Sequence, residues 1–108
     1  MKFDTKKNGT ATILKLQGKK LDASVAPELK GKILVVCKTK ELIIDLTAIE
    51  FCDSSGLSAL LLAERKMRET GGAVKLVGVQ KKVLSLMKIS HLDQTFQMFD
   101  TVAKASKG

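Results

Sequence analysis

The sharpest change of pattern falls between residues 42 and 62, where an apolar run gives way to a helical repeat. Leu42, Ile43 and Ile44 are apolar at consecutive positions, too few for a helix, and their two-sided hydrophobicity predicts a central strand covered on both faces. Asp45 and Thr47 break the run. From Leu57 the period changes: Leu57, Leu60, Leu61 and Met67 recur at helical spacing, with Glu64 the one residue out of character. Upstream, residues 2–7 and 10–17 are predicted strands joined by Asn8-Gly9, a dipeptide suited to the tight turn of an antiparallel hairpin. Thr10, Thr12 and Lys15 give the second strand a polar side, and Ile13, Leu14 and Leu16 its apolar contacts, with one break in alternation at Ile13-Leu14.

Residues 18–22 then form a loop that ends in a capping signal. The first helix begins near Asp22 or Ser24, because a Ser24 cap places Pro27 in the first turn, where its missing N–H costs nothing. Val25, Leu29, Ile33 and Val36 make its buried stripe, with Glu28, Lys30, Lys32 and Lys38 facing water. Thr70-Gly71-Gly72 stops the second helix, residues 73–77 form a strand, residues 80–90 a third helix, and residues 95–99 a last strand. Asp100 is expected to cap a short C-terminal helix ending in Lys104 and Lys107. Strands alternating with helices imply an α/β fold: a mostly parallel sheet, an antiparallel hairpin only at the N-terminus, and about four helices. Sites in such sheets gather at the carboxyl ends of strands. One surface is therefore expected to present Asp22, Asp53, Ser54, Ser55 and Gly78 together.

A length of 108 residues suits a single domain over positions 1–108. No signal-like segment opens the chain and no run approaches the roughly 20 apolar residues of a membrane span, so no transmembrane segment and a cytoplasmic location are expected. Cys37 and Cys52 lie in apolar surroundings without metal-ligand spacing and are expected to be reduced and buried. Nineteen basic against eleven acidic residues give a net charge of +8, which would suit an acidic partner. The lysines, however, are spread over every segment, and four Phe without Trp or Tyr offer few stacking platforms for bases. A solvated basic surface with no direct nucleic-acid binding is the expectation.

Candidate chemistry concentrates in Asp53-Ser54-Ser55-Gly56, between the two periods. Asp and Ser are preferred helix caps, which accounts for the first two residues without any function. The second serine and its glycine leave two further readings open. A phosphoryl group there would meet free N–H donors and the positive end of a helix, either on a modified serine or on a bound nucleotide. Catalysis has little to build on. His91 is the only histidine and stands at a helix end, where a capping role is the simpler account. With no phosphate loop, Cys/His cluster or carboxylate pair, the expectation is a protein that is not an enzyme and takes no cofactor or metal.

Asp53-Ser54-Ser55-Gly56-Leu57, preceded by Ile43-Ile44-Asp45-Leu46 and Phe51, resembles the signature of the anti-sigma-factor antagonists, small proteins of the STAS fold. Gly18-Lys19-Lys20-Leu21-Asp22, Ala26-Pro27-Glu28-Leu29, Thr70-Gly71-Gly72, residues 83–87 and Leu92-Asp93 before Phe96 are similar to that family's other segments, so the resemblance spans nearly the whole chain. Two departures stand out: His91 in place of a common glycine, and the strong positive charge. The resemblance implies a binding module whose unmodified form captures an anti-sigma factor that is also a serine kinase, releasing the sigma factor. Phosphorylation at Ser55, the second serine, would end the complex and a serine phosphatase would reset it. Asp22, Asp53, Ser54, Gly56 and Leu57 would form the partner surface. The alternative is a constitutive STAS scaffold or regulatory subunit of a transporter or signalling complex, with Ser55 only a cap.

Overall fold

A computed structural model describes residues 2–107, the side chain of Lys107 excepted. In chain order its elements are β1 (Phe3–Asn8), β2 (Ala11–Leu16), β3 (Lys20–Leu21), α1 (Ala26–Val36), β4 (Glu41–Asp45), β5 (Phe51–Cys52), α2 (Ser54–Glu69), β6 (Ala73–Val77), α3 (Lys81–Ile89), β7 (Gln97–Phe99) and α4 (Val102–Lys107). The main sheet runs β1-β2-β4-β6-β7, antiparallel only between β1 and β2. The α/β architecture is thus the one expected. Gly9, at φ 65°, makes the hairpin turn that an L side chain would strain.

Period-two alternation explains the two-sided apolar run. Leu42 and Ile44 enter the main core with Leu29, Ile33, Leu57, Leu60 and Met67 from α1 and α2, while Ile43 points to the other face. There a smaller cluster forms from Ala11, Ile43, Val77 and Ala105 of α4. Lys75 shares that face, 2% exposed, between Val74 and Leu76 of the main core. A buried ammonium is costly unless fully bonded. Its Nζ lies 2.9 Å from Glu41 Oε1, donates to the Ala105 carbonyl oxygen at 2.8 Å, and stands 5.6 Å from the centre of the Phe99 ring. One lysine thereby joins β4, β7 and α4.

Several boundaries differ from the sequence reading for local reasons. Helix α1 starts at Ala26 with Val25 as an N-cap that makes no side-chain bond. Asp22 and Ser24 are not caps because they bond each other: Asp22 Oδ1 accepts from the Ser24 backbone N–H at 3.0 Å and from its hydroxyl at 2.6 Å. The helix ends at Val36 with Cys37 as its C-cap, which packs against the rim of the main core and is half-buried rather than buried, its thiol donating to the Leu34 carbonyl at 3.5 Å. Strand β7 begins two residues late because Thr95 is held in a turn, its N–H donating to the Leu92 carbonyl at 3.1 Å. Thr101 rather than Asp100 caps α4, accepting from the Lys104 N–H at 3.2 Å, while Asp100 pairs with Lys104 at 3.5 Å. The expected role of the Lys107 side chain lies outside the described residues.

His91, the departure from glycine, keeps a glycine-like backbone: its φ is 59°. The left-handed turn closes α3, with Leu92 N–H donating to the Met87 carbonyl at 2.7 Å. An L residue there carries strain of about 1–2 kcal/mol. His91→Gly is therefore expected to stabilise the fold by about 1 kcal/mol, since the exposed imidazole gives up little packing. Urea unfolding checks this, and an unchanged or lowered midpoint would contradict it.

Candidate functional site

Between β4 and α2 the chain does not pass straight from strand to helix. Asp45 Oδ1 first accepts from the Thr47 N–H at 3.0 Å and its hydroxyl at 2.5 Å, turning the chain, and β5 then pairs with β3 in a second, two-stranded parallel sheet. Lys20 lies opposite Phe51 and Leu21 opposite Cys52. The next residues along each strand, Asp22 and Asp53, leave this ladder side by side, with the Asp53 N–H still bonded to the Leu21 carbonyl at 3.2 Å. Strands this short carry no periodicity. They were therefore invisible in the sequence, although they bring Asp22 to the serine turn.

Asp53 is the N-cap of α2, its Oδ1 accepting from the Gly56 N–H at 3.0 Å and its carbonyl from the Leu57 N–H at 3.0 Å. Ser54 and Ser55 are the first two helical residues, and their N–H groups have no acceptor among the described residues. Ser54 is exposed and Ser55 half-buried. Gly56 and Leu57, expected at the partner surface, are buried beneath it. Leu57 packs into the main core. A Cβ on Gly56 would run into the Leu21 carbonyl oxygen and lie 2.8 Å from Cys52 Sγ. The missing side chain is what lets the helix start settle on the β3–β5 ladder.

The carboxyl of Asp22 is held below its ordinary 3.8, chiefly by the hydrogen bond from the Ser24 hydroxyl, with partial desolvation opposing and the Ser24 N–H and the Lys20 charge helping. It remains an anion at neutral pH. Burial, aided by the Asp53 charge, pushes the Cys52 thiol up to about 12. That sulfur is a packing group and not a nucleophile. Phe51, 48% exposed, is the apolar residue standing open beside the turn.

Gly78 lies in the neighbouring loop, where its φ of 68° and bare Cα accommodate Thr47, and Gln80 Nε2 donates to the Thr47 carbonyl at 2.7 Å. The Gly78 N–H donates to the Phe99 carbonyl at 2.9 Å. His91 stands beyond the far end of α3, about 13 Å along the helix from its start at 1.5 Å per residue. That start follows the carboxyl end of β6, so the length of α3 separates His91 from that end of the strand. Among the described residues no group of His, Cys, Asp or Glu could hold a metal ion, and no helix is long and apolar enough to cross a membrane.

Residues 2–105 match the STAS domain family. A structure described as that of a candidate anti-sigma factor antagonist from Thermotoga maritima superposes with a TM-score of 0.89 at 22% identity, covering 97% of this chain and 92% of that one. The Bacillus cell fate determinant SpoIIAA in its phosphorylated form gives 0.75 at 18% identity, covering 98% and 96%. A sulfate transporter family protein from Wolinella succinogenes gives 0.79 at 22% identity, covering 91% and 83%. At these identities the likeness is one of fold.

Proposed function

Because this chain belongs to the STAS domain family, we propose that it is an anti-sigma-factor antagonist switched by phosphorylation at Ser55. The observation that carries the reading is the placement of Ser55. It is the second residue of a capped helix, with unbonded N–H groups beside it and two carboxylates, Asp22 and Asp53, flanking the same turn. The existence of a phosphorylated form of SpoIIAA, which shares this fold, supports it.

In the unmodified protein the partner is an anti-sigma factor that is also a serine kinase. It docks over Ser54, Asp22 and Asp53 with Phe51 as the apolar anchor, while Gly56 and Leu57 support the turn from below. Phosphorylation adds nearly two negative charges. The free N–H groups and the positive helix end stabilise that phosphate where it stands, so the fold need not change. The partner meets a surface with close to four negative charges and a bulky group where a hydroxyl was, and the complex ends. A serine phosphatase restores it.

The test is phosphosite mapping by mass spectrometry on protein from its native cells, with and without stress. Phosphate is expected on Ser55, with occupancy that changes with conditions. Its absence under every condition would overturn the switch in favour of a second reading, a constitutive STAS subunit of a transporter, which the likeness to the Wolinella protein favours.

A further inference from the structure

At the opposite end of the sheet, around the amino ends of β2 and β4, lies a cavity of about 590 Å³ that plays no part in the serine turn. Its volume falls within the roughly 300–1,000 Å³ of small-ligand sites. Lys7, Lys32, Lys38 and Lys40 line it together with the hydroxyl-bearing Thr5, Thr10, Thr12 and Thr39, and no carboxylate is among its lining residues. The side-chain ion pairs described between residues of this chain employ Lys66, Arg68, Lys75 and Lys104 instead, leaving these four lining lysines without a carboxylate at ion-pair distance among the described residues. One wall is apolar: Val35, 68% exposed, and Val36 of the last turn of α1.

The frame is rigid. The Thr10 carbonyl accepts three bonds from the facing connection: the Thr39 hydroxyl at 2.6 Å, Lys40 N–H at 3.2 Å and Glu41 N–H at 3.3 Å. Thr12 is 3% exposed at the floor. All four charges are lysines. Lysine binds as a compact point charge with three rotatable donors, whereas the planar fork that matches a carboxylate belongs to arginine, which is missing from this lining. A compact group with two charges and several acceptor oxygens satisfies such a lining better than a single carboxylate does.

The geometry points to a binding site for a phosphate monoester, with its phosphoryl group among Lys7, Lys32, Lys38 and Lys40 and an apolar body against Val35 and Val36. It does not depend on the reading of Ser55.

Titration of the isotope-labelled protein with phenyl phosphate, followed by amide NMR, tests it. Saturable shifts are expected at Thr10, Ala11, Thr39 and Lys40. Affinity should exceed that for inorganic phosphate by about tenfold through burial of the ring. The double variant Lys32→Gln/Lys40→Gln should lose about tenfold. Lys15→Gln/Lys88→Gln, exposed lysines elsewhere, should bind as the parent does. Shifts that do not saturate, that spread over all lysine-bearing segments, or that survive the Lys32/Lys40 variant unchanged would overturn the site. Sedimentation with phosphatidylcholine vesicles carrying phosphatidic acid, lost in the same variant, would identify the monoester as a lipid headgroup. Binding of phenyl phosphate without sedimentation would identify it as soluble.

Discussion

Alanine at position 56 is expected to lower the stability of this protein by about 2 kcal/mol, the range of an overpacked core. Helix propensity alone argues for the opposite sign, since Gly→Ala inside a helix gains up to about 1 kcal/mol. Packing decides. The added methyl would run into the backbone carbonyl of Leu21 and crowd Cys52 Sγ and Leu21 Cγ, each at 2.8 Å. A flexible side-chain tip could swing aside, but this carbonyl already accepts the Asp53 N–H and belongs to the strand paired with Cys52. Relief requires pulling β3 from β5, which also separates Asp22 from Asp53. Urea unfolding of Gly56→Ala should give a lower midpoint with an unchanged slope. A raised midpoint would mean that the close approach of α2 to β3 is wrong.

The second large effect concerns the proposed switch. Ser55→Asp is expected to bind a cognate anti-sigma factor at least about 100-fold more weakly than Ser55→Ala, a gap near 2.7 kcal/mol. The added carboxylate joins Asp22 and Asp53 on one turn, and like charges brought to a closing interface are neither solvated nor screened as they are in water. Ser54→Asp adds the same charge at the more exposed position and should cost less, because water still reaches it. Isothermal calorimetry with the three variants separates these cases. Equal affinities for the two Ser55 variants would rule out charge at this hydroxyl as the device.

The legible parts of the fold were those with a long enough pattern. The run Leu42-Ile43-Ile44 was readable because both faces of β4 are covered, by α1 and α2 on one side and α4 on the other. Lys75 was not, since a lone cation in a short strand normally marks an open face. What buries it here is Glu41 from the neighbouring strand and a carbonyl thirty residues later, neither adjacent in the chain. The Asp22–Ser24 turn was misread as a cap for a similar reason: the same oxygen can bond forward to a helix or to its own near neighbour, and only the second occurs. Within the site, the Asp53 cap and the serines were local and readable. The nearness of Asp22 was expected from parallel strands but depends on β3 and β5, which are too short to show in any periodicity. The basic cavity escaped notice because its lysines come from β1, α1 and the connection after it and meet only in space.

The lysine under α4 also sets an order of events during synthesis. Glu41 leaves the ribosome first and Lys75 next, while the Ala105 carbonyl to which the lysine donates follows thirty residues behind. A helix of six residues does not hold by itself in water. Until α4 has emerged, the nascent sheet therefore holds Ile43 and Val77 without the cover of Ala105, around a cation that still lacks the Ala105 carbonyl.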